Sequence, residues 1–236
     1  MFTFSPVRIL LLAAVLPGLF LLFKIYRMDK IEKEPPGLLL KCFFFGVISI
    51  ISALILESAG MWLMDMIFTY YSLFYEIVLN FIVIAGTEEL CKYFFLKKAT
   101  WLHPEFNYRF DAVIYAVFVS LGFAIFENIN YVLSYGLATA IIRAITAVPA
   151  HAIFAIFMGH YYGQAKLYFE AGRDDMAAQY RKLACIVPIL MHGFYDFAAS
   201  SNSGLMTAVF WIFLIFLYVI SIRQINRDAK EDVPLY

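Results

Sequence analysis

The chain has 236 residues, 63% hydrophobic and 15% charged, with 18 basic and 18 acidic side chains and a formal net charge of zero. A soluble domain is nearer about 45–50% apolar and about 25% charged, so the long apolar runs here exclude an ordinary soluble domain and imply a polytopic membrane protein. The net charge of zero says nothing about partners; the apolar runs make the lipid bilayer an expected partner, and nucleic acid is not an expected one.

The first apolar segment, Met1 to Phe23, carries only Arg8 and is followed by Lys24, Arg27, Lys30 and Lys33. A cleaved signal peptide carries its charge before the apolar run, so a retained first helix with its N-terminus outside is expected. Asp29 to Pro36 is polar and ends in a helix-breaking proline pair, which marks a connector. A second span is expected over Leu38–Leu56, then an external, partly interfacial connection from Glu57 to Tyr71. The third span, Ser72–Leu96, ends at Lys97-Lys98. A short polar loop leads to a fourth, Ala112–Val132, and a turn at Ser134-Tyr-Gly to a fifth, Ala138–Tyr162. Gln164 to Lys182 reads as the longest polar loop. The sixth span is Leu183–Ala199 and the seventh Met206–Ile222, before a charged tail.

The expected fold is therefore all-α and polytopic, with about seven transmembrane helices, as one membrane-embedded domain over residues 1–236 and no soluble domain. All of the 18 Lys and Arg except Arg8, Lys92 and Arg143 fall in the first, third and fifth loops, the tail, or their flanks. Basic loops face the cytoplasm, which predicts an outside N-terminus and a cytoplasmic C-terminus. Cys42, Cys91 and Cys185 share no motif spacing and lie in apolar runs, where free cysteine acts as a small hydrophobe. That scatter argues against a disulfide framework and thiolate metal sites.

Ionisable side chains inside a bilayer cost a few kcal/mol each and mark function by default. Here they are Glu88, Glu89, Lys92, Glu127, Arg143, His151, His160, His192 and Asp196, all on the third to sixth spans. The third span carries Ala85-Gly-Thr-Glu88-Glu89-Leu-Cys-Lys92-Tyr93. On a helix Lys92 is one turn from both glutamates and can neutralise one, leaving a surplus negative charge. A desolvated carboxylate can activate water as a general base; the same cluster could equally be an ion pair that fixes packing. Adjacent helical residues point about 100° apart, so the two glutamates are expected to differ in role. Glu127 and Tyr131 share a helix face, near the outer end unless Gly122 kinks the helix. His151 and His192 fall at matching depth near the middle of their spans, and Asp196, four residues after His192, can orient its imidazole. His160 and Arg143 read as interfacial, the arginine snorkelling. No HExxH and no GxSxG occurs, so neither a zincin nor a serine hydrolase has a motif. Carboxylates with histidines suit a water-activating glutamate or a bound divalent metal; for zinc, His151, His192 and Glu88 are the candidate ligands.

In this order on successive helices, Glu88-Glu89-x-x-Lys92, Phe126-Glu127 with Tyr131, His151 with Gly159, and His192-x-x-x-Asp196 resemble the PrsW family of intramembrane proteases. The Glu32-Lys-Glu34-Pro35 stretch looks like that family's N-terminal region, and the motif core covers about residues 72–199. The family is distantly similar to the CAAX prenyl endopeptidases. The resemblance implies a membrane-embedded protease that cuts a membrane-anchored substrate, in the best-known branch a single-pass anti-sigma factor, as the first cut in regulated proteolysis. It implies a water-activating role for Glu88 and Glu89 with Glu127, His151 and His192 assisting, and Lys92, Tyr131 and Asp196 in support. Asp196 stands where the CAAX enzymes have asparagine; an ionised aspartate cannot donate to an oxyanion, so orienting His192 is its expected task. No cofactor is the first expectation, with zinc left open. The competing classes are a proton- or cation-coupled transporter and a packing scaffold. Transporters show repeated halves, and the ionisable block here has no second copy.

Overall fold

A computed structural model describes residues 5–69 and 72–236, so the first four residues of the first expected span, and Tyr70 and Tyr71 of the second connection, lie outside it. The described residues form α1 (Pro6–Tyr26), α2 (Pro36–Ile67), α3 (Leu73–Val78), a π-helical segment (Leu79–Ile84), α4 (Ala85–Thr100), α5 (Asp111–Tyr135), α6 (Leu137–Ile145), α7 (Ala147–Glu170), α8 (Asp174–Ser200) and α9 (Gly204–Lys230). Among the described residues, six helical stretches are long and apolar enough to cross a membrane: α1, α2, α5, α6–α7, α8 and α9. The continuous path α3–π–α4 is the third expected span. Large hydrophobic side chains such as Phe20, Ile55, Ile212 and Ile215 are exposed, as a lipid-facing surface requires. The chain is a multi-pass membrane protein.

Both proline-led helices start where their fixed backbone angle is already helical and no N–H is missed: Pro6 opens α1 and Pro36 opens α2. The second connection is shorter than expected. α2 continues through Glu57 and Asp65 to Ile67, 32 residues, or about 48 Å at 1.5 Å per residue. Segment 57–67 has no proline, and its charges end the hydrophobic run without ending the helix. The fifth loop shrinks in the same way. α7 runs on to Glu170 and α8 starts at Asp174 with two acids in its first turn, a favourable place on the helix dipole, so the turn is 171–173 around Gly172 (φ +71°).

The fifth span breaks at Thr146. Pro149 is the third residue of α7 and has no N–H to give the Ile145 carbonyl; the Tyr218 hydroxyl of α9 donates to that carbonyl instead, at 2.9 Å. In the third span the π segment, the kind of irregularity that gathers at functional sites, immediately precedes Ala85-Gly86-Thr87-Glu88-Glu89 and packs on α8.

α5 is the central helix: 78% of its apolar stretch is buried, against 22% for α1 and α9. Its neighbours approach through glycine, as small-residue interfaces in membranes do. A Cβ at Gly46 of α2 would lie 1.8 Å from the Val119 carbonyl oxygen, and one at Gly122 would lie 2.1 Å from that of Phe43. Gly122 therefore serves close packing of α2 on α5. Gly159 and Gly163 bring α7 against the start of α5 and the residues just before it in the same manner. The tail after α9 returns to the loop before α5, with Arg109 N–H donating to the Val233 carbonyl at 3.0 Å and Leu235 N–H to that of Asn107 at 2.8 Å.

Gly46→Val and Gly122→Val should each lose about 1–3 kcal/mol or more by forcing α2 and α5 apart. Thermal unfolding in detergent should show both drops, while Gly37→Ala, with nothing within 4 Å of its added Cβ, should unfold like wild type.

Candidate active site

Lys92 is fully buried, on the turn after the paired glutamates. Its ammonium donates to Glu88 Oε2 at 3.0 Å and Glu89 Oε1 at 2.7 Å, and lies 3.2 Å from His151 Nδ1. Three protons thus meet three acceptors, and the Phe123 ring lies 4.0 Å away on another side. Because an ammonium only donates, the network assigns the His151 proton to Nε2, which faces Glu127 Oε2 at 3.0 Å. Arg143 Nη2 donates to the same Glu127 oxygen at 2.7 Å and its Nε to Asn128 Oδ1 at 2.8 Å; Asn128 in turn donates to the Ala14 carbonyl at 2.8 Å, tying α1 to the cluster. Ser120 fixes α7 from behind through the His151 carbonyl at 2.9 Å.

His192 closes the other side. Its Nδ1 lies 2.9 Å from Glu89 Oε1 and 3.9 Å from Glu88 Oε2, and its Nε2 lies 3.2 Å from Asp196 Oδ2. The ring stacks on Phe154, centroids 5.0 Å apart, and meets the His151 ring at 5.3 Å. Gly193 allows the approach: a Cβ there would lie 2.6 Å from the Phe81 ring of the π segment. The π segment thereby seats α8 against the glutamates.

A cavity of about 770 Å³ opens over this network, lined by Glu88, Glu127, His151, His192 and Asp196 together with apolar residues such as Ile50, Phe154 and Phe210. Glu89 and Lys92 do not line it. The adjacent glutamates are therefore in different places: Glu88 is on the cavity wall, while Glu89 is entirely enclosed and its Oε2 has no partner.

Seven of the residues singled out in the sequence — Glu88, Glu89, Lys92, Glu127, His151, His192 and Asp196 — join one network. Tyr131 lies at the cavity edge under the Arg143 guanidinium, 4.0 Å from its ring centroid. His160 stands apart, with Asp228 at 2.9 Å and Gln224 at 3.0 Å. Two residues were misplaced. Arg143 pairs with Glu127 instead of snorkelling; the two are equidistant from Tyr135 at the helical hairpin, a spacing that sets residues opposite each other. Glu57, assigned to the external connection, lines the cavity from α2, 3.4 Å from the Thr87 hydroxyl. Its signal was the unbroken helical pattern beyond residue 56.

Donor atoms of Glu88, Glu89, His151 and His192 all lie within 4.8 Å of one another. Two imidazoles with carboxylates are a donor set suited to zinc, and the partnerless Glu89 Oε2 leaves an acceptor for a cation. These residues fit a divalent metal.

Fold and site together define a multi-pass membrane enzyme with an enclosed carboxylate–histidine centre. Residues 34–222 match the family model described as PrsW family intramembrane metalloprotease. The chain is 34% identical to "Protease PrsW" of Oceanobacillus iheyensis (95% of this chain, 98% of that protein) and 35% identical to that of Clostridioides difficile (94% and 90%). It is 30% identical to that of Bacillus subtilis (94% and 96%). The chain belongs to the PrsW family of intramembrane proteases, a membership that disfavours the transporter reading. No solved structure matches it significantly.

Lys92→Met should strand two buried carboxylates and cost about 3–5 kcal/mol. Replacing all three partners together (Glu88→Gln, Glu89→Gln, Lys92→Met) should recover much of that loss in thermal unfolding; equal losses in the two variants would deny the ammonium its central place.

Proposed function

We propose that Glu88 is the water-activating base of a peptide-bond hydrolysis, and that Glu89 is its buried anchor. The observation that carries this is the parting of the pair: Glu88 lines the cavity, and Glu89 stands behind it with Oε1 between Lys92 and His192. Glu88 takes a proton from water as the water oxygen bonds to the scissile carbonyl carbon, and the carbonyl electron pair moves to oxygen. Asp196 and Glu89 hold the His192 ring between them, Nε2 against one carboxylate and Nδ1 against the other, which fixes Glu89 behind the base. Glu88 then returns the proton to the amide nitrogen, the C–N bond breaks and the carbonyl re-forms. Glu127 and Arg143 hold His151 beside Lys92, so that the ammonium keeps one face on each glutamate. General base catalysis of this kind is worth about 10²–10⁴-fold. Where a zinc ion is bound, Glu88, Glu89, His151 and His192 would hold it, and it would polarise the carbonyl and acidify water.

The proposed substrate is a single-pass membrane protein such as an anti-sigma factor, with the whole chain acting as one membrane-embedded protease domain. Cavity residues Met61, Tyr131, Ser200 and Thr207 lie near the helix ends remote from the basic loops. With the basic loops cytoplasmic, the mouth opens outward, which supports a cut on the outer side.

The test is cleavage of a tethered single-pass anti-sigma factor by purified protein in detergent. Glu88→Gln should lower the rate by about 100-fold or more with unfolding close to wild type. Retained cleavage in Glu88→Gln, with loss in Glu89→Gln, would reverse the two roles. Loss on chelation that zinc restores would assign the four donors as metal ligands; insensitivity would leave Glu88 acting on free water.

A further inference from the structure

At the opposite end of the bundle three more carboxylates converge. Asp29 and Glu34 come from the connector between α1 and α2, and Asp111 opens α5; their exposures are 4%, 2% and 2%. One oxygen of each lies within 4.8 Å of the others. Among the described residues none of the three forms an ion pair with a basic side chain. Lys33 acts on Asp29 only through space, because its ammonium donates to the backbone carbonyls of Tyr26 and Asp29.

The local donors do not saturate the cluster. Asp111 Oδ2 accepts from the N–H groups of Asn107 at 3.1 Å and Tyr108 at 2.7 Å, and Glu34 Oε2 accepts from the Tyr115 hydroxyl. Asp29 Oδ2 is sealed from solvent with no partner, and so is Asn107 Oδ1, on the residue whose N–H binds Asp111. Such a cluster is expensive to keep ionised at neutral pH unless a cation shares it.

We propose that Asp29, Glu34 and Asp111 bind one hard divalent cation, magnesium or calcium, that clamps the α1–α2 connector to the start of α5. The donors are all oxygen, which suits these ions and not the imidazole- or thiolate-seeking metals. Oxygens facing each other across a calcium ion are about 4.6–5.2 Å apart, twice a bond of about 2.3–2.6 Å, and the observed spread falls within that reach. Asp29 Oδ2 gains the partner it lacks. The site also gives the Glu32-Lys33-Glu34-Pro35 stretch a task that the active site leaves unassigned. The same junction carries the C-terminal tail, since Asp232 Oδ1 accepts from Phe110 N–H at 2.8 Å.

The experiment uses the full chain in detergent, stripped with chelator, desalted and titrated calorimetrically with magnesium chloride or calcium chloride alone, with thermal unfolding in parallel. Wild type should bind one ion per chain with a rise in unfolding temperature. Asp29→Asn, which removes the charge and turns one carboxylate oxygen into an NH2 donor, should weaken binding by about tenfold or more, while its ion-free unfolding temperature stays at or above that of wild type. Glu34→Gln should weaken binding likewise. Absence of binding of either ion at millimolar concentration to folded wild type would overturn the proposal, as would undiminished binding in both variants.

Discussion

Everything in the interior depends on how one ammonium is accommodated without water. Lys92 has three protons and finds three acceptors on two helices: Glu88 and Glu89 on its own, and His151 on α7. In a low-dielectric interior each of these contacts is strong, and each is costly to lose. Satisfying the lysine therefore fixes where α7 stands, and His151 passes the constraint to Glu127 and Arg143. Glu89 passes it to His192 and hence to α8. Four spans are joined through a chain of paired charges with Lys92 at its centre.

The backbone irregularities serve that arrangement. The π segment turns Phe81 onto Gly193, where α8 comes close enough for His192 to reach Glu89. The break at Thr146 lets α6 fold back beside α5, so Arg143 meets Glu127 while α7 continues with His151 inward. Glycines 46 and 122 bring α2 against α5, and Ile50 and Ala53 on α2 form part of the cavity wall.

Much of this was legible in the sequence because membranes punish charge. Ionisable residues inside apolar runs stand out, and Glu88, Glu89, Lys92, Glu127, His151, His192 and Asp196 were all found that way. Helix ends were less legible: hydropathy marks where the chain leaves lipid, not where hydrogen bonding stops, so α2, α7 and α8 outrun their apolar stretches. Glu57 was misplaced for this reason, its charge taken as the end of a span when it faces the cavity. Arg143 was misread because snorkelling and pairing look alike until the partner helix is placed. The π segment left no local signature, since Leu79–Ile84 reads like any apolar helical run. Which glutamate faces the cavity was also out of reach, as it depends on the rotation of α4 against its neighbours.

That rotation can be measured directly. In a chain with Cys42, Cys91 and Cys185 replaced, single cysteines at positions 88 and 89 would be exposed to a small water-soluble thiol reagent under native conditions, with position 200 at the cavity wall as a reference. The structure predicts modification at 88 and 200, and protection at 89 until the protein unfolds. Modification at 89 with protection at 88 would turn the helix the other way and contradict the assignment of Glu88 as the residue that meets substrate.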